Sequence, residues 1–72
     1  MTLEDLRLES GLSKRELARQ SGVDFNTVQR AVTGEVISLN TAAKIARALS
    51  RALSRNIHYQ DIEGLNIGRW SL

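Results

Sequence analysis

Four side chains between residues 25 and 30 have the chemistry needed to contact the edges of nucleic-acid bases. They are Phe25, Asn26, Gln29 and Arg30. Their spacing of i, i+1, i+4 and i+5 places them on one face of a helix. An Arg can donate two hydrogen bonds to guanine, an Asn or Gln can bridge adenine, and an apolar ring can contact a thymine methyl. We therefore interpret this face as a candidate surface for base contacts.

Each of these residues also has an ordinary alternative role. Arg30, Asn26 and Gln29 fit the solvated surface of any helix. An aromatic residue at a helix start, such as Phe25, can pack as a hydrophobic staple instead. The surrounding elements must decide between the two interpretations.

Residues 12–34 predict two short helices joined by a tight turn, which is a helix-turn-helix. Ser13 and Glu16 have the spacing of a capping box at the start of the first of these helices. Gly22 supplies the permissive backbone needed just past its end. Asp24 is placed to cap the second helix, and Gly34 is placed to end it. The predicted core residues of this pair are Leu17, Ala18, Val28, Ala31 and Val32.

The rest of the chain predicts three more helices and no strand, so the expected fold class is all-α with five short helices. One helix covers residues 3–9 after a Thr2 cap, and a short one covers residues 59–63, with Ile62 and Leu65 inward. A connector at residues 35–37 precedes a long helix that begins after Ser38 and runs to about Arg55. Its apolar residues recur at helical spacing: Leu39, Ala42, Ile45, Ala46, Leu49 and Leu53. We expect one domain over residues 1–65 and a tail over residues 66–72.

Composition excludes several classes of function. The 72 residues allow one small domain, and they include no Cys and a single His. The sequence therefore predicts no disulfide, metal or cofactor. It shows no arrangement of paired carboxylates, nucleophile and base, or phosphate-binding glycines, so we do not expect an enzyme. No membrane span or signal pattern is seen, and the expected location is the cytoplasm of a bacterium or of a phage-infected cell.

Charge is distributed unevenly along the chain. Residues 13–55 carry eight cations and three carboxylates, for a net +5, whereas the flanks together carry −3. A basic surface of this kind favours a polyanionic partner. Four of the cations line one side of the long helix: Lys44, Arg47, Arg51 and Arg55. This stripe fits a solvated face, a nucleic-acid contact or an acidic partner.

The sequence resembles the Cro/repressor (XRE-type) helix-turn-helix family of phage and bacterial regulators over about residues 3–65. The likeness depends on Leu17-Ala18, Gly22, Val28, Gly34 and the segment Ile45-Ala46-Arg47-Ala48-Leu49. It implies a lambda-repressor-like fold, with the helix-turn-helix as helices 2 and 3. It also implies that the second helix of the motif enters the major groove of double-stranded DNA, so that Phe25, Asn26, Gln29 and Arg30 touch bases.

The same resemblance implies contacts with the DNA backbone. Lys14 stands where the family usually has a Gln that touches phosphate, and Thr27, Thr33 and Asn40 are further candidates. Two positions depart from the family pattern. The connector Glu35-Val36-Ile37 lacks the usual basic residues and Pro, and Val32 replaces a common acidic residue.

The resulting hypothesis is a small repressor that binds a palindromic operator as a homodimer, formed in solution or only on DNA. The apolar tail residues Ile67, Trp70 and Leu72 either cover the core or form the dimer contact. The alternative is an antitoxin or adaptor that uses the same fold to bind a protein partner.

Overall fold

The computed structural model describes residues 1–68 as four helices, one 3-10 turn and two short strands. The helices are α1 (Leu3–Ser10), α2 (Lys14–Ser21), α3 (Phe25–Val32) and α4 (Leu39–Leu53). The strands are β1 (Val36–Ser38) and β2 (Asn66–Gly68), and the 3-10 turn is Tyr59–Asp61. No helix in this part of the chain is long and apolar enough to span a membrane.

Side-chain caps fix where the helices begin. Ser13 accepts a hydrogen bond from the Glu16 amide, and Ser38 accepts one from the Thr41 amide. The predicted capping box at Ser13 is only half formed, because the Glu16 carboxylate pairs with Arg19 instead of reaching back. A complete box forms at α1, where the side chain of Thr2 and that of Asp5 each accept from the other's amide.

The core lies between α4 and the other helices. Its fully buried larger side chains are Leu17, Val28, Ile45 and Leu49. The periodicity of α4 also placed Leu39 in the core, but Leu39 is 46% exposed. Leu39 is the first residue of α4, where the helix has only begun to pack on the core. Ile37, which the sequence assigns to a connector, is the buried residue of this segment at 4% exposure.

The prediction of five helices without a strand is wrong in two respects: the structure contains two short strands, and the expected fifth helix is a 3-10 turn. β1 and β2 form a parallel pair in which Ile37 lies opposite Ile67. The expected helix over residues 59–63 is a 3-10 turn of three residues, too short for a repeating α-helical hydrogen-bond ladder. Ile62 and Leu65 still pack inward as expected, buried and half-buried respectively.

Candidate nucleic-acid interface

α2, its turn and α3 form a helix-turn-helix. Gly22 follows α2 with φ +74°, a backbone conformation that suits glycine, and its amide donates back to the end of the helix. Val23 donates to the Ala18 carbonyl at 3.1 Å and closes the turn. α3 packs against this scaffold through Val28 and Ala31, which are 0% and 3% exposed.

Burial of one face of α3 leaves the opposite face in solvent. Asn26, Gln29 and Arg30 are exposed, and Phe25 is 36% exposed at the first residue of the helix. The structure therefore brings the four predicted base-contacting residues together on one outward surface, which we call the reader face. The side-chain amides of Asn26 and Gln29 make no hydrogen bond within residues 1–68, so both side chains are available to a ligand.

Phe25 is held by a residue that the sequence analysis did not single out. The guanidinium carbon of Arg15, on the first turn of α2, lies 5.1 Å from the centre of the Phe25 ring. A cation over an aromatic face at this distance is attractive. The contact joins the two helices of the motif and covers part of the ring, which agrees in part with the alternative interpretation of Phe25 as a packing residue.

Arg30 is also engaged within the chain. Its Nη2 donates to the Val36 carbonyl at 3.2 Å, and its Nε lies 3.6 Å from Oε1 of Glu35. In the sequence alone, Glu35 stands out only as a departure from the basic connector of the family. Its position five residues after Arg30, just past the glycine that ends the helix, was the available signal.

The predicted backbone-contacting residues differ in how free they are. Lys14 and Asn40 occupy the first turns of α2 and α4, and neither side chain has a hydrogen-bond or ion-pair partner among residues 1–68. Thr27 donates its hydroxyl hydrogen to Asp24 at 2.6 Å. The Thr33 hydroxyl lies within reach of the Arg30 carbonyl and the Glu35 carboxylate. A phosphate only accepts hydrogen bonds, so either Thr must give up an internal bond to contact it.

Asp24 caps α3 as predicted, and the cap determines its protonation. The Thr27 hydroxyl and then the Thr27 amide donate to its carboxylate and hold the pKa of Asp24 below its usual value. Asp24 is therefore protonated only at a lower pH than an ordinary Asp. A carboxylate before α3 and the Glu35 carboxylate after it place one negative charge at each end of the reader face.

The structure divides the basic stripe of α4 into two halves. Arg51 donates to the Gln20 carbonyl at the end of α2 at 3.1 Å. α4 ends at Leu53, two residues before the expected end, because Ser54 has a left-handed backbone, and Arg55 beyond it pairs with Glu9 of α1 at 3.1 Å. Lys44 and Arg47 have no carboxylate partner in the described part of the chain and are exposed. Only this half remains as a surface for an external anion.

The expected dimer residues lie at the end of the chain. Ile67 is half-buried in β2 and packs against the core of its own chain. Trp70 and Leu72 lie outside the described residues. β2 itself begins directly after the expected domain boundary at residue 65.

The fold and the reader face together define a DNA-binding helix-turn-helix domain. A helix-turn-helix family model matches residues 3–55, which is most of the chain. The chain belongs to the XRE/Cro-type helix-turn-helix family, whose domains have the lambda-repressor-like fold, bind DNA and are not catalytic. Neither the curated proteins nor the solved structures gave a match to this chain.

Proposed function

We propose that this chain is a sequence-specific transcriptional regulator, a small repressor of phage or mobile-element type. It binds a palindromic operator in the bacterial cytoplasm as a homodimer, with α3 of each copy in the major groove. The observation that carries the proposal is the reader face, four exposed side chains on a helix that is anchored to the core by the buried residues Val28 and Ala31. A rigid helix with hydrogen-bonding side chains on its outer surface suits the width of the major groove.

In this proposal Asn26, Gln29 and Arg30 supply base contacts through hydrogen bonds, and Phe25 supplies an apolar edge. A good bidentate contact discriminates by about 1–3 kcal/mol, or roughly 5- to 150-fold per base pair. Lys14 and Asn40 are the first candidates for phosphate contacts because both lie at helix N-termini and neither side chain has a partner among residues 1–68. Thr27 and Thr33 contribute only after exchanging an internal hydrogen bond for a phosphate.

The homodimer is part of the proposal because a palindromic operator presents two equivalent half-sites. Two such half-sites lie about 34–36 Å apart along one helical turn of DNA. The described part of the chain measures 32 × 22 × 18 Å, so two copies at that spacing approach each other only when their longest axes lie along the DNA. We place the contact in the C-terminal segment that includes Ile67, Trp70 and Leu72.

Selection of bound duplexes from a random DNA pool at about 150 mM salt tests this proposal. At that salt, contacts to phosphate are weakened and base contacts dominate the enrichment. An enriched palindrome supports a dimeric regulator, and its half-site spacing is obtained directly. A single unrepeated motif would contradict the dimer, and no enrichment would contradict sequence-specific binding.

Variants of the reader face then test the assignment of base contacts. Arg30→Ala should relax the preference at one base pair of the selected site. Arg51→Ala is the matched control, since it removes the same charge from an exposed Arg outside the reader face, whose guanidinium donates to the Gln20 carbonyl. Equal preferences in the two variants would show that Arg30 does not contact a base.

An acidic protein partner is a second candidate, favoured by one observation. Arg47 lines an open cleft of about 330 Å³ together with His58 and Tyr59, and Lys44 lies one turn away on α4. An antitoxin or adaptor would use this side of the molecule. A stoichiometric protein partner whose binding is lost in Arg47→Glu and kept in Arg30→Ala would support this alternative.

A further inference from the structure

We propose that Glu35 is a positioning residue that orients Arg30 for base recognition and thereby sets the specificity of the reader face. This inference rests on the proposed function, since it concerns how one of the base-contacting side chains is held. Its starting point is the ion pair between Arg30 Nε and Glu35 Oε1 at 3.6 Å, on the exposed surface at the end of α3.

Two further contacts and the backbone turn at Gly34 place the Glu35 carboxylate relative to Arg30. The Glu35 amide donates to the Arg30 carbonyl at 2.9 Å, so the two residues are joined through the backbone. The Thr33 hydroxyl lies 3.3 Å from Oε2 of Glu35. Gly34, with φ +88°, turns the chain between them and directs Glu35 back toward the helix. The carboxylate thus lies on the exposed surface at the helix end, next to the Arg30 side chain.

The contacts of Arg30 leave one side of its guanidinium group available. Nε faces Glu35 and Nη2 donates to the Val36 carbonyl at 3.2 Å, whereas Nη1 has no partner among the described residues. A free Arg side chain must lose its rotamer freedom when it binds a base, at a cost of about 0.5–1.5 kcal/mol. Glu35 and Val36 reduce that loss by restricting Arg30 before DNA arrives.

The charge of Glu35 has a separate effect on total affinity. A carboxylate beside the reader face is repelled by phosphates on any DNA sequence, and it offsets part of the attraction of Arg30 for them. Because this repulsion acts equally at the operator and at any other sequence, it lowers both affinities and leaves their ratio unchanged. The preference for the operator therefore depends on the positioning of Arg30.

The test compares Glu35→Gln with the wild type on the selected operator and on a scrambled duplex of equal length. Gln keeps the size of the side chain and an acceptor oxygen but removes the charge. We expect tighter binding to the scrambled duplex and a fall of about two- to tenfold in the ratio of the two affinities. The lost preference should be confined to the base pair that Arg30→Ala also affects.

Glu9→Gln is the matched control, because Glu9 also forms an exposed ion pair with an Arg and its loss changes the net charge equally. Arg55, its partner, lies beyond the C-terminal end of α4, about 22 Å of helix away from β1. Glu9→Gln should leave the affinity ratio unchanged. Circular dichroism melts of both variants show whether a change in folding contributes.

A double-variant cycle separates positioning from a general charge effect. In an Arg30→Ala background, Glu35→Gln should no longer change the preference at that base pair. An unchanged ratio in Glu35→Gln, or an equal loss in the Arg30→Ala background, would overturn the role of Glu35 while leaving the proposed function intact. Failure of the wild-type chain to select any sequence would overturn both.

Discussion

Comparing the truncation of Ile37 with that of Leu39 gives the sharpest test of this fold, because the structure reverses the burial that the sequence predicts for these two residues. The helical periodicity places Leu39 in the core and Ile37 in a connector, whereas the structure buries Ile37 to 4% exposure and leaves Leu39 46% exposed. Ile37 lies in β1 opposite Ile67 and directly before the Ser38 cap of α4. Truncating each residue to Ala should therefore have very different consequences for the free energy of unfolding.

The size of the difference follows from burial. Ile37→Ala removes three buried carbon atoms, at about 0.8 kcal/mol each, and leaves a cavity that raises the loss to about 3 kcal/mol. A domain of this size is stable by roughly 4–11 kcal/mol, so the loss is a large part of the total. It corresponds to a fall in Tm of about 12–24 °C. Leu39→Ala should cost less than about 1 kcal/mol, because much of that side chain already contacts water.

Urea denaturation followed by circular dichroism measures both variants on the same scale. Ile37→Val, which should cost about 0.5–1.5 kcal/mol, serves if Ile37→Ala does not fold. Equal losses for Ile37→Ala and Leu39→Ala would refute the burial described for β1. A larger loss for Leu39→Ala would restore the assignment made from periodicity.

Three further predictions concern the helix-turn-helix. Arg15→Ala should lower the free energy of unfolding by about 0.5–1 kcal/mol, because it removes the contact with Phe25. The same substitution should have no effect in a Phe25→Leu background. Additive losses from the two substitutions would contradict the contact. Gly22→Ala should lower the free energy of unfolding by about 1–2 kcal/mol. The loss comes from backbone strain alone, because no atom lies within 4 Å of the added Cβ. An unchanged Tm in thermal melts would contradict the left-handed turn. The pKa of Asp24 is lowered by folding, so its contribution to stability is present above about pH 4 and is lost as the pH falls through its folded value. Asp24→Asn keeps a capping oxygen but removes the charge, so the free energy of unfolding should depend less on pH below about pH 4. Urea titrations at several pH values measure this dependence. An unchanged pH profile would show that the cap does not depend on charge.

Sequence signals between neighbouring residues predicted the four helices, but they did not predict the pairing of strands that are distant in sequence. Thr2, Ser13, Asp24 and Ser38 cap the four helices as expected, because capping depends on residues three positions apart. β1 and β2 are three residues each and pair across 30 positions of sequence. Segments that short have no periodicity of their own.

The reader face was predictable for the same reason, since it follows from the helical spacing of residues 25–30. Its internal partners were not. The position of Arg15 over Phe25 depends on the angle between α2 and α3, and the contact of Glu35 with Arg30 depends on the backbone turn at Gly34. The first geometry cannot be obtained from residue types, and the one sequence signal for the second is the position of Glu35 directly after Gly34.

The pairing of β1 with β2 also bears on the order in which the molecule assembles. α2 and α3 are adjacent in sequence and pack on each other, whereas β2 pairs with β1 across 30 residues, and Glu63 reaches Thr2 across about 60. Closing such long loops costs chain entropy that is recovered only when the rest of the core is in place. Native-state hydrogen exchange should therefore find the amides of residues 63–68 opening well before those of α4. The helix-turn-helix then keeps its shape during these openings.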